Sequence, residues 1–84
     1  MERFPRLVEI EELGQVELPL GVIGGYQLVN GERAPLPIGS SLKEGVFYWQ
    51  PGPGFLGDYD LFFERKDGGE AHVRVKIRAK SYAQ

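Results

Sequence analysis

The chain has 84 residues, with 12 acidic and 10 basic side chains, a net charge of −2, one histidine and no cysteine. That length holds one small domain. The missing cysteines exclude disulfides, thiol nucleophiles and Cys-ligated zinc, and the near-balanced charge gives no electrostatic case for nucleic acid or an anionic membrane surface. With 12 glycines and 6 prolines the elements must be short, and no stretch holds a helical apolar spacing over several turns without one of them. Period two recurs instead. Residues 6–12 predict a strand with Val8 and Ile10 inward and Glu9 and Glu11 outward. Gly14 breaks it, and residues 15–20 predict a second strand with Val16, Leu18 and Leu20 on one face. Pro19 cannot donate to a ladder, so this strand lies at an edge or ends there. Gly21, Gly24 and Gly25 read as a loop, and residues 26–29 as a short strand. Asn30-Gly31 follows, a pair suited to a two-residue hairpin turn because both residues accept positive φ. Its return arm, residues 32–38, carries Pro35 and Pro37 at alternate positions, which suits an edge. Gly39-Ser40-Ser41 reads as a turn, residues 45–50 as an aromatic strand, and Pro51-Gly52-Pro53-Gly54 as its stop. Residues 57–66 and 70–79 predict a closing hairpin, and residues 80–84 a frayed tail.

Charge and pattern set an expected register for that last hairpin. A three-residue loop of Asp67, Gly68 and Gly69 pairs Lys66 with Glu70. It then places Phe63 opposite Val73, Leu61 opposite Val75 and Tyr59 opposite Ile77. On the outer face it brings Glu64 to His72, Phe62 to Arg74, Asp60 to Lys76 and Asp58 to Arg78. A two-residue loop would set Phe63 against His72 and mix the faces. Each opposed pair contributes only ~0.2–1 kcal/mol, but all favour one register. About seven short antiparallel strands, separated by turns and without a helix, predict an all-β sandwich forming a single domain over residues 1–84.

Leu42, Gly45-Val46-Phe47, Trp49-Gln50-Pro51, Gly57, Tyr59 and Asp67-Gly68 are followed by a last alternating strand. Their order and spacing resemble those of bacterial immunoglobulin-like and dystroglycan-type cadherin-like modules. Leu36-Pro37-Ile38-Gly39 is similar to the Leu-Pro-x-Gly segment of the same modules. The match covers about half of the chain. The resemblance implies an immunoglobulin-like β-sandwich, with Phe47 and Trp49 inward and Val46 and Tyr48 outward. Gly57-Asp58-Tyr59 at a strand start resembles the tyrosine corner of sandwiches. The resemblance further implies a module excised from a longer multidomain protein that is extracellular, at the cell surface or periplasmic, and it implies no enzymatic activity. The chain departs from the family where Leu42-Lys43-Glu44-Gly45 stands without the usual Asp and Thr. No Asp-x-Asn-Asp-Asn linker is present either, which argues against cadherin-type calcium sites.

The remaining chemical candidates are weak. His72 has no nucleophile partner in view, and Ser40 and Ser41 lack the strand-turn-helix setting of a nucleophile elbow. Gly21-Val22-Ile23-Gly24-Gly25 has no Lys-Ser/Thr and opens no helix, so it is not a phosphate cradle. Arg74, Lys76, Arg78 and Lys80 form a basic stripe that faces Asp58 and Asp60, which reads as an ion-paired surface rather than a nucleic-acid or metal site. No catalytic, cofactor or metal residue is assigned. No apolar run reaches the ~18 residues of a transmembrane helix, and residues 1–5 lack the apolar segment of a signal peptide. The expected interaction surface is Tyr48, Phe62 and Arg74, with Tyr26 a further candidate. The expected function is a non-catalytic spacer, adhesion or protein-interaction module, with an accessory carbohydrate-binding module as the alternative. Its partners would be neighbouring domains of its parent chain or another protein, with no nucleic acid and no membrane insertion. It would be a monomer or weak homodimer. Residues 70–79 are long and free of proline; placed at an edge, they would carry that contact.

Overall fold

The computed structural model describes residues 6–79, so residues 1–5 and the expected frayed tail at 80–84 lie outside the described residues. The described residues form eight strands and no helix: β1 (Arg6–Glu11), β2 (Val16–Pro19), β3 (Val22–Val29), β4 (Glu32–Ala34), β5 (Ser40–Lys43), β6 (Val46–Trp49), β7 (Gly57–Arg65) and β8 (Glu70–Arg78). They build a five-stranded sheet in the order β1-β8-β7-β3-β4 and a three-stranded sheet in the order β2-β6-β5. The fold is all-β and sandwich-like. Val16, Leu18, Phe47 and Trp49 of the small sheet pack with Val22, Leu61, Phe63, Ala71, Val73, Val75 and Ile77 of the large one. Phe47 meets Phe63 edge to face at 5.0 Å between centroids, and Trp49 meets Tyr59 at 5.1 Å and 84°. Contacts of this geometry add ~0.5–1.5 kcal/mol each beyond the area they bury. Phe47 and Trp49 are inward and fully buried, as expected, while Val46 and Tyr48 alternate to the outer side. Tyr59 points inward onto Trp49, but among the described residues its hydroxyl makes none of the chain-directed hydrogen bonds that define a tyrosine corner.

Several expectations are corrected. The strand of residues 70–79 is not an edge: β8 lies between β1 and β7, and the edges are β1 and β4 in one sheet and β2 and β5 in the other. The edge positions of β2 and β4 agree with Pro19 and with the prolines that follow Ala34. The sheet is not wholly antiparallel, because β1 pairs parallel to β8, from Arg6 beside Val73 to Glu11 beside Arg78. The β7–β8 register differs by two residues from the charge-based one. Leu61 stands opposite Val73, Asp60 opposite Arg74 and Phe62 opposite His72. The loop does have three residues, but they are Lys66, Asp67 and Gly68, closed by Arg65 N–H donating to Gly69 O at 2.8 Å. Gly68 takes the left-handed position at φ 93°, and Asp67 Oδ1 accepts the Gly69 N–H at 2.8 Å. Those two local requirements place the turn, and the shift of two leaves the inward and outward faces unchanged.

Gly24 and Gly25 are not a loop but lie within β3. A Cβ at Gly25 would stand 2.8 Å from Phe63 Cδ1, so the glycine is there to let that ring cross the strand. Ser40 and Ser41, read as a turn, begin β5. That strand pairs with β6 through a two-residue turn, Glu44-Gly45, whose φ values of 51° and 80° match the 52° and 80° of Asn30-Gly31.

Two stability outcomes follow from this packing. Trp49→Ala should cost ~3–5 kcal/mol, most of the stability of so small a domain, and lose the cooperative thermal melt. Retention of the parent melting temperature would contradict the inward placement. Glu44 occupies a left-handed conformation that costs a non-glycine residue about 1 kcal/mol and that asparagine tolerates. Glu44→Asn should therefore raise the urea unfolding midpoint, by ~0.5–1 kcal/mol in stability. An unchanged or lowered midpoint would show that the turn is not strained at Glu44.

Candidate interaction face

Strand pairing sorts the outward side chains of the large sheet into rows. One row runs Leu7, Arg74, Asp60, Leu28, Arg33 from β1 to β4. The next runs His72, Phe62, Tyr26 across β8, β7 and β3. Directly opposed outward residues on neighbouring strands lie within about 5 Å, so rings in one row must touch. They stack like books on a shelf. Tyr26 and Phe62 lie 5.3 Å apart and 13° from parallel, and Phe62 and His72 lie 4.1 Å apart and 21° from parallel. Arg33 closes the free side of the stack, its guanidinium 4.3 Å from the Tyr26 ring centre. The Tyr26 hydroxyl donates to Glu70 Oε2 at 3.3 Å. Beyond the rings a shallow pocket of about 350 Å³ opens beside Tyr26, Arg33, Glu64 and Glu70.

Asp60 anchors the polar side of the stack. Its Oδ1 accepts from Arg74 Nε at 2.9 Å and from His72 Nε2 at 3.1 Å. Partial burial works to raise the Asp60 pKa, but the hydrogen bonds and charges of Arg74 and then His72 outweigh it and hold the carboxyl below its usual value. The same pairing raises Arg74.

The structure thus joins Phe62 and Arg74 on one face but does not place them opposite each other. Tyr26 belongs with Phe62. Tyr48 does not: it stands on the outer side of the small sheet, between Glu17 and Ser41, with both sheets between it and Phe62. Arg33 and His72 went unrecognised as ring partners in the sequence. Arg33 was within reach, since the Asn30-Gly31 turn sets it opposite Leu28, one row from Tyr26. Locating His72 required the correct β7–β8 turn. Among the described residues no three His, Asp or Glu side chains gather in a way that could hold a metal ion. No protein-family model matches the chain, and no curated protein matches it.

The lowered Asp60 pKa has a definite sign in stability. The folded state holds its proton less tightly than the unfolded chain, so the contribution is full above the unfolded value of about 4. It is lost as pH falls through the folded value. Solvent screening keeps it small, since a third of the Asp60 side chain is exposed at 33%. Asp60→Asn should lower the urea midpoint at neutral pH and make its decline on acidification shallower than in the parent. Identical slopes in the two proteins would remove Asp60 as a source of the pH dependence.

Proposed function

We propose that this chain is a non-catalytic, immunoglobulin-like module of a bacterial extracellular, cell-surface or periplasmic protein. It acts as an adhesion or protein-interaction unit, and as a spacer between neighbouring domains. The observation that carries this reading is the ordered band of Arg33, Tyr26, Phe62 and His72, with Arg74 beside it, on the outer face of the large sheet. Aromatic and arginine side chains of this kind, held rigid before a partner arrives, are the groups that dominate protein interfaces. The order of motifs between Leu42 and Ile77 supports the immunoglobulin-like assignment and its cellular setting.

The stacking also weighs against the carbohydrate-binding alternative. Sugar rings stack on open aromatic faces, because their C–H groups need the π surface. Here one face of Tyr26 is taken by Arg33 and the other by Phe62, and the faces of Phe62 are taken by Tyr26 and His72. The rings offer edges outward, which suit the side chains and backbone of a protein. An array of plant, bacterial and host glycans should give no binding to the chain. Binding to any of them that is lost on Tyr26→Ala would overturn the protein-contact reading in favour of the carbohydrate one.

A further inference from the structure

The large sheet's outer face is striped by charge, and the stripes fit themselves. Along β8 the outward residues Arg74 and Lys76 are cationic, and along neighbouring β7 the outward residues Asp60 and Asp58 are anionic. The register sets each cation level with one anion, Arg74 with Asp60 and Lys76 with Asp58. Consider a twofold axis parallel to these strands, above the line between them. It turns the face onto a second copy so that β8 lies over the other β7 and each residue stays at its own level. Arg74 then lies over Asp60 of the second copy and Lys76 over its Asp58, in both directions. The same rotation carries β3 over β1 and sets Leu28 on Leu7, because both belong to the row of Arg74 and Asp60. These two leucines are 37% and 58% exposed, apolar surface that the contact would cover.

Resting on the reading of this face as an interaction surface, we propose that its partner is a second copy of this chain, joined face to face in a twofold dimer centred on Asp60 and Arg74. In the monomer the two form an exposed pair of little net strength. In the dimer they become an alternating square of four charges, each flanked by two of opposite sign, and the neighbouring copy excludes water from it. The complementarity also rejects other arrangements, since a shift by one strand sets cation on cation.

The dimer must be weak. The rotation overlays β1, β8, β7 and β3 and carries β4 past the edge at β1. The three gaps between four strands, at ~4.8 Å each, and the four gaps between five rows, at ~6.7 Å each, enclose ~400 Å² per copy, against the ~800 Å² of a standard interface. Sheet twist holds the closest contact to the central strands β7 and β8. One row opposes association, for Glu64 and Glu70 face each other across β7 and β8 and would meet a second such pair.

Sedimentation of the 84-residue chain up to about 1 mM tests the proposal, a range that reaches ~4 kcal/mol of association. The parent should show reversible dimerisation. Asp60→Arg alone and Arg74→Asp alone should each weaken it at least tenfold, by setting like charges face to face. An equimolar mixture of the two variants should associate at least as well as the parent. Both central positions are cationic in the first variant and anionic in the second, so every pair across the mixed interface joins unlike charges. Thermal melts of each variant establish that it is folded. If either exchange unfolds the domain, Asp58→Lys and Lys76→Asp provide the same cycle one row away. A parent that stays monomeric, or a mixture of folded variants that stays monomeric, overturns the second copy as the partner. The glycan array would still decide the reading of the face beneath it.

Discussion

The aromatic contact between the two sheets is what the rest of the molecule depends on. The strands β2, β5 and β6 share no ladder with the large sheet, so their attachment passes through the side chains of the core, with Phe47 against Phe63 and Trp49 against Tyr59 at its centre. Those contacts also decide the outer surface. Side chains alternate along a strand, so once Leu61 and Phe63 point inward, Asp60 and Phe62 must point outward. The outward face is the complement of the core.

A single irregularity reconciles that rule with β3. Val22 is buried, and Tyr26 faces outward opposite Phe62. An even difference in position would put the two on the same side. The register shift between Val22 and Gly24 inserts Ile23 as an extra residue and reverses the alternation, so Val22 enters the core and Tyr26 reaches the ring stack. Three residues on, Gly25 leaves room for Phe63 to lie across the strand. The outer stack and the inner core therefore meet at adjacent residues, Gly25 serving one and Tyr26 the other.

Local chemistry made some of this legible in the sequence and hid the rest. Asn30-Gly31 announced its hairpin because both residues suit positive φ; Glu44-Gly45 makes a turn with the same φ signs and went unseen, because glutamate is a poor occupant of its first position. Glycines within β3 resembled a loop, since the reason for Gly25 lies on another strand. The β7–β8 faces were readable from alternation. Charge pointed to the wrong register: a shift of two keeps Asp60 and Asp58 opposite cations, Arg74 and Lys76, but sets Glu64 against Glu70, a like pair that the charge-based register avoids. The left-handed glycine and the Asx turn outweigh that one pair. The site followed the same division. Phe62 and Arg74 were recognisable as outward, but their companions Arg33 and His72 depended on register, and the separation of Tyr48 depended on which strand joined which sheet. The parallel β1–β8 pair had no local signal, because it joins residues more than sixty positions apart.

That parallel pair has a mechanical consequence. The described chain enters β1 at the level of Val73 and leaves β8 at the level of Glu11, at opposite ends of the same two-strand ribbon. Five residues separate these levels, or ~17 Å along the strands. Tension carried through a string of such units would draw β1 and β8 past each other along their length. A parallel ladder has evenly spaced bonds, and sliding loads them all together, whereas peeling a hairpin open breaks them one by one. Arg6 to Glu11 and their partners on β8 would therefore act as a shear clamp, placing resistance to stretching in the edge strand farthest in the sheet from β4.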